Sequence, residues 1–259
     1  MTSDSATIDD IVAATPHVRW SISVGGATHE PGRVLRTASV GKLLLLFETA
    51  RRITAGELDP ASPLARDSRY AVADSGLWQH LTTGALPVAD VATLIAAVSD
   101  NYATNVLLER VGLASLATLA DRLGLRHTAL RDRVRDHRGP GHPATLSTGT
   151  AAELHSLMRR LARRELLDPG TDALIDGWLA TSTDLSMVAS AFRDDPLAHA
   201  HGVRNKTGTD DGVRADVGYR GDLSYAVLAN WDPAAGDATA EVMDGMRAIG
   251  QWAMRSRPG

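Results

Sequence analysis

Residues 39–47 read Ser-Val-Gly-Lys-Leu-Leu-Leu-Leu-Phe, a hydroxyl and an amine three positions apart that run straight into an apolar segment. On a helix, residues three apart share a face, so the Ser39 hydroxyl and the Lys42 ammonium can meet. The pattern predicts a helix over 39–54, stopped at Ala55-Gly56. A serine hydroxyl is a weak nucleophile until a base takes its proton. Lys42 can be that base where burial and a neighbouring cation lower its pKa. The helix N-terminus adds N–H groups and a positive dipole end that suit a developing oxyanion. For S-x-x-K alone, an N-cap serine followed by a surface lysine is the better reading, because the pattern is short and its residues are common.

Working outward, a short acidic helix is expected over 8–14. Two strand-like pieces follow at 17–24 and 33–37, separated by the turn signals Gly25-Gly26 and Pro31-Gly32. The stretch from about 58 to 180 is rich in helical patterns. Val91, Leu94, Ile95 and Val98 mark one helix face, and Thr150-Ala-Ala-Glu153 fits a capping box before Leu154, Leu157, Met158 and Leu161. The polar, arginine-rich stretch 126–143, with His137-Arg-Gly-Pro-Gly-His142, reads as loop. The period then changes. Strands are expected at 202–209, 214–219 and 224–231, and a closing helix at 239–254 presents Val242, Met243, Met246, Ile249 and Trp252. The simplest closure is an antiparallel sheet built from both chain ends with a helical insertion, since a lone N-terminal hairpin cannot bury its own face.

Composition removes several function classes. The chain has 259 residues, long enough for one large domain or two interleaved ones with a substantial core. Its net charge of −4 and the lack of a basic stripe argue against nucleic acid as a partner. The absence of cysteine excludes disulfides, thiolate metal sites and thiol nucleophiles. The N-terminus carries Asp4, Asp9 and Asp10 before its first basic residue, Arg19, unlike a secretory signal. The longest aliphatic-aromatic run, 43–47, is too short to span a bilayer. A cytoplasmic, membrane-free monomer is therefore the expectation. His199-Ala-His201 can place two imidazoles on one strand face, but no carboxylate is spaced to complete a site. Neither metal nor cofactor is expected.

Two further motifs complete the pattern. Ser99-Asp-Asn101 ends the amphipathic helix containing Val91. Ser99 can pass a proton, and Asn101 offers both a donor and an acceptor to a substrate amide, although the triplet alone usually means a turn. Lys206-Thr-Gly208 lies on the first C-terminal strand. There Lys206 and Thr207 can bind a carboxylate, and Gly208 permits close approach to the backbone. S-x-x-K, S-D-N and K-T-G stand in the order and at spacings close to those of the class A β-lactamases and penicillin-binding proteins. The flanks match as well: Ser-Asp-Asn-Tyr-Ala-Thr-Asn-Val-Leu-Leu over 99–108, and Asn-Lys-Thr-Gly-Thr over 205–209. The chain resembles the class A β-lactamase-like serine hydrolases over nearly its whole length.

The resemblance implies an α/β (α+β) fold of the β-lactamase/transpeptidase type. An antiparallel sheet domain (1–50 and 181–259) and an all-helical domain (51–180) would enclose the active site between them. It implies that Ser39 is the acylated nucleophile, Lys42 its base and Ser99 the proton shuttle to the leaving nitrogen. Asn101 would hold the substrate side-chain amide, and Lys206 and Thr207 the substrate carboxylate. The N–H groups of Ser39 and Thr209 would form the oxyanion hole, and Arg214 would assist carboxylate binding, from a turn one residue shorter than in relatives. Trp78 is expected either to line the cleft or to anchor packing. One departure stands out: the family's loop glutamate, which activates the deacylating water, is missing. Val134 takes the expected position and Arg135 the next, leaving Asp132, Asp136 or His137 as substitutes within a charged loop. Three functions follow. The first is β-lactam hydrolysis through an acyl-serine with slow deacylation, a role in β-lactam catabolism or antibiotic response. The second is an intracellular esterase, amidase or peptidase acting on a small acyl substrate. The third is a penicillin-binding sensor acylated without turnover.

Overall fold

The Gly25-Gly26 pair turns the chain through a two-residue hairpin, with Gly25 at φ +56° and Val24 paired with Ala27 across it. This joins β1 (Arg19–Val24) to β2 (Ala27–His29), after α1 (Ile8–Ala14). Next come β3 (Leu35–Arg36), a 3-10 turn (Ala38–Gly41) and α2 (Lys42–Thr54). The helical stretch holds β4 (Pro63–Ala65), β5 (Ala85–Pro87), α3 (Val88–Val98), α4 (Asn101–Val111) and α5 (Leu113–Leu123). It continues through β6 (Ala129–Leu130), β7 (Ser147–Gly149), α6 (Ala151–Ala162) and α7 (Pro169–Leu179). The chain closes with β8 (Arg204–Asp210), β9 (Val213–Arg220), β10 (Leu223–Asn230) and α8 (Thr239–Arg255). This computed structural model describes residues 7–198 and 202–256, so His199 and His201 lie outside the described residues.

The main sheet runs β2-β1-β10-β9-β8, antiparallel throughout, with β8 on the edge. Strands from both chain ends therefore share one sheet. The strand expected over 33–37 is a correction. Only Leu35–Arg36 is extended there, and it pairs with β7 in a separate sheet, β3-β7-β6, while 27–29 supplies the second strand of the main sheet. After the two-residue Gly25-Gly26 turn, 27–29 is the segment that returns along the edge of β1 not taken by β10.

One face of the sheet packs on α8 and α1 through Trp20, Ile22, Val227, Val242, Met246 and Ile249. The other face carries Ala215, Val217 and Leu228 and merges with the core of the helical segment. α6 lies directly on that face, against β10, β9 and β1. α2 is enclosed by α3, α4, α5 and α7, and its first nine residues, Lys42 to Ala50, are all buried. A helix buried all round is what an almost continuous apolar run gives. The Thr150 cap of α6 forms, but Glu153 turns away from a reciprocal capping box and accepts the N–H groups of Arg126, His127 and Thr128 instead.

His155 ties α6 to the sheet. Its Nδ1 lies 2.6 Å from the Ser23 hydroxyl on β1, and its Nε2 lies 2.8 Å from the Ser224 hydroxyl on β10. Burial, reinforced by Arg159 one turn on, holds the imidazole below its ordinary value. A histidine whose folded pKa is depressed contributes stability that is complete above its unfolded value of about 6.5 and is lost as pH falls through the folded value. Melting curves recorded at about pH 7.5 and about pH 5 should therefore show a larger loss for the native chain than for His155→Gln, and equal losses would contradict this assignment. His155→Ala should cost about 1–3 kcal/mol at neutral pH by stranding two buried hydroxyls.

Candidate active site

The turn that carries Ser39 is built from below. Ser147 on β7 donates its hydroxyl to the Ala38 carbonyl at 2.6 Å and lies 2.7 Å from the Thr37 hydroxyl. Gly41 is glycine for steric reasons, since a Cβ there would fall 2.3 Å from the Ser147 Cβ. Ala38 is held at φ +46°, a strained conformation for a residue with a side chain, immediately before Ser39. The first turn is thus 3-10 rather than α, a correction to the helix expected from residue 39. In a 3-10 turn residues i and i+3 eclipse, so Ser39 and Lys42 still fall on one side.

Lys42 is fully buried at the head of α2. Its Nζ donates to the Ser99 carbonyl and to Asn101 Oδ1, both at 2.7 Å, and lies 3.2 Å from the Ser99 hydroxyl. The first two partners only accept. A neutral amine, with two N–H donors and one lone pair, satisfies both and keeps its lone pair for a hydroxyl. Burial, then the Lys206 ammonium, push Lys42 well below the ordinary lysine range, and Asp100 partly opposes them.

Ser99 closes α3 in the left-handed region, φ +55°, which aims its carbonyl and hydroxyl at Lys42. Asp100 fixes this corner. One carboxylate oxygen caps α4 through the Ala103 N–H at 2.8 Å, and the other accepts the N–H groups of Leu77 and Trp78. Gly76 passes so close that a Cβ would meet the Asp100 carboxylate at 2.5 Å. Asn101 donates to the Ala73 carbonyl, joining the same loop to the site.

β8 forms the opposite wall. Lys206 is buried, with its Nζ bonded to the Thr207 carbonyl at 3.0 Å, and Thr207 is buried beside it. Burial lowers Lys206 to about 8 against the pull of Asp184 and Asp216. Gly208 runs against the Ser39 turn, where a Cβ would fall 2.2 Å from the Thr37 carbonyl oxygen and 3.2 Å from the Ser39 nitrogen. The Ser39 N–H, which has no acceptor among the described residues, therefore faces β8 just before Thr209.

Ser39 and Thr209 line both of two adjoining hollows. The smaller, about 270 Å³, also carries Ser99, Asp184, Lys206 and Thr207. The larger, about 540 Å³, carries Asn101, Val134, Asp136 and Arg214. Two expectations change. Trp78 is fully buried and packs against Tyr102 at 5.5 Å between ring centroids, so it is a packing anchor and lines neither hollow. Arg214 reaches the rim of the larger hollow, but its Nη1 is spent on the carbonyls of Asp210 and Val213 while its guanidinium sits 5.6 Å over Trp231. Sequence reading missed Asp100 as the corner-piece, Ser147 beneath the Ser39 turn, and Ser75, Ser182 and Asp184 in the walls. Only Asp100 lay inside a quoted motif.

On the loop, Asn105 grips Val134 by both backbone groups, at 2.8 and 3.0 Å. Asp132 is buried and paired with Arg135 and Arg138, both at 2.7 Å. Asp136 is exposed at the rim of the larger hollow, with one oxygen accepting the Ala73 N–H.

Gly208→Ala should force β8 off the Ser39 turn. A displacement of about 1 Å costs on the order of 100-fold in a positioned reaction, so covalent labelling of Ser39 should slow by that factor. Labelling at the native rate would show that the close approach is not needed.

The model of the beta-lactamase enzyme family matches residues 8–251. A beta-lactamase from Sphaerobacter thermophilus is similar at 24% identity and a TM-score of 0.80, covering 96% of this chain and 97% of that one. An ancestral class A beta-lactamase is similar at 20% identity and a TM-score of 0.80, covering 98% and 99%. A PBP-A variant, described as an acyl-enzyme complex with penicillin G, is similar at 20% identity and a TM-score of 0.77, covering 96% and 95%. No curated protein sequence matches the chain. With the family matched from α1 into α8 and the same fold in class A enzymes, the chain belongs to the beta-lactamase enzyme family.

Proposed function

We propose that the chain is a serine hydrolase that β-lactams acylate at Ser39 and that releases the acyl group slowly. In the first step neutral Lys42 takes the Ser39 proton while Oγ attacks the lactam carbonyl carbon. The oxyanion is received by the N–H groups of Ser39 and Thr209. The C–N bond then breaks, and the leaving nitrogen takes a proton through Ser99, which Lys42 resupplies. Lys206 and Thr207 in the smaller hollow bind the substrate carboxylate. Asn101, beside the larger hollow, meets the side-chain amide.

The observation that carries slow release is the loop. At the position where water must be activated it offers the clamped Val134, which accepts no proton. Of the two carboxylates that flank it in sequence, Asp132 is neutralised by two arginines, and Asp136, at the rim of the larger hollow, has one oxygen engaged by the Ala73 N–H. Two arginines and a backbone N–H hold Asp132 below the usual carboxylate range despite its burial, which makes it a poor base.

Intact-mass measurement after mixing with benzylpenicillin should show one persistent adduct, absent in Ser39→Ala. Rapid turnover without an adduct would overturn the slow step. Val134→Glu should shorten the adduct's life by about 100-fold, the lower end of what a placed general base supplies.

A further inference from the structure

Lys42 and Lys206 are the only two lysines among the 259 residues; every other basic residue counted with them is an arginine. Both are buried at the cleft, and neither has a carboxylate at ion-pair distance. Their charges are balanced at one remove, Lys42 by Asp100 and Lys206 by Asp184 and Asp216.

Asp216 has no part in the chemistry proposed above. It lies on β9 in register with Thr207, whereas Lys206 pairs with Val217, so strand alternation puts Asp216 on the other face of the sheet. It is wholly inaccessible. One carboxylate oxygen accepts the Ala189 N–H at 3.1 Å. The other accepts Asn205 Nδ2 at 3.0 Å and the Tyr225 hydroxyl at 3.1 Å. Among the described residues no cation pairs with it. The groups around it are Asn205 from β8, Tyr225 from β10, Asp184, and the 3-10 turn Val188–Phe192, while α8 presents apolar Val242, Met246 and Ile249 to this face. Arg220, farther along β9, is engaged by Asp194.

Three donors converging on one carboxylate fit its ionised form. Burial opposes them and brings it up to about 7, so it is poised near neutrality. The Asn205 amide reinforces this reading. It spends its N–H groups on Asp216 and on the Asp184 carbonyl, and leaves its own buried Oδ1 without a donor. A protonated Asp216 could have donated a hydrogen bond, yet the amide is arranged for two acceptors. Asn205 directly precedes Lys206, so whatever holds Asn205 holds the start of the carboxylate-binding wall.

We propose that Asp216 is a positioning residue for the substrate carboxylate, anchoring β8 through Asn205 and supplying, through the sheet, the negative charge that keeps the Lys206 ammonium protonated. The proposal rests on Lys206 as the carboxylate ligand. Leaving the counter-charge behind the strand keeps the ammonium unblocked for a ligand, where a contacting carboxylate would occupy it.

Two lysines make the test direct. Protein grown on lysine labelled with 13C at Cε gives two side-chain signals, assigned with Lys42→Arg, and their titration needs no turnover. In the native chain Lys206 should titrate near 8. In Asp216→Asn that midpoint should fall by at least about 0.5 unit, the effect of losing a nearby opposite charge. The alkaline limb for acylation by benzylpenicillin should move with it, which a purely structural role would not cause. Tyr225→Phe, which removes one donor and keeps the carboxyl group, should move the midpoint the same way by less, and serves if Asp216→Asn does not fold. An unchanged Lys206 midpoint in a folded variant overturns the proposal. A native chain that benzylpenicillin fails to acylate, with the Lys206 shift present, instead removes the functional reading and leaves the electrostatic link standing.

Discussion

The structure depends on burying two lysine side chains without giving either a contacting counter-ion among the described residues. An isolated charge in an apolar interior costs several kcal/mol, and the usual relief is loss of the proton or a direct salt bridge. This chain does neither in full. Lys42 is surrounded by the acceptors Ser99 O and Asn101 Oδ1, and Lys206 by a single carbonyl. Their carboxylates stand back: Asp100 caps α4, and Asp216 lies beyond the strand. Burial and then the Lys206 ammonium lower the affinity of Lys42 for a proton, which moves it toward the neutral base.

The rest of the scaffold holds this arrangement in place. Ser147 and Gly41 set the turn that carries Ser39, Gly208 lets β8 lie against it, and Asp100 with Gly76 fixes the corner that carries Ser99 and Asn101. Strained Ala38 and Ser99, both at positive φ, flank the site from two different elements. Such strain persists only where packing over-determines it, and at Ser99 it aims a hydroxyl and a carbonyl at the Lys42 amine.

The motif residues were legible because their chemistry is local. S-x-x-K, S-D-N and K-T-G each lie within a few positions, and the order of periodicities placed them on a helix start, a helix junction and a strand. The supporting residues were not legible, because they act over long sequence distances. Ser147 is 109 positions from the Ala38 carbonyl that it holds. Asp216 reads as one polar residue in an alternating strand, and only the register with β8 places it beside Thr207, on the face opposite Lys206. Trp78 was ambiguous because an aromatic next to a motif can face the cleft or the core, and only the Asp100 hook on its N–H turns it inward. The strand expected over 33–37 failed for a related reason: extended propensity says nothing about which sheet a segment joins.

The central claim is that the Ser39 hydroxyl, and no other hydroxyl in the cleft, is the one that buried Lys42 activates. Tryptic cleavage after Arg36 and Lys42 isolates the six residues Thr-Ala-Ser-Val-Gly-Lys in one peptide. Mapping the acyl adduct formed with benzylpenicillin should place the added mass on that peptide, at Ser39. An adduct on Ser75, Ser99 or any residue outside the peptide would contradict the account.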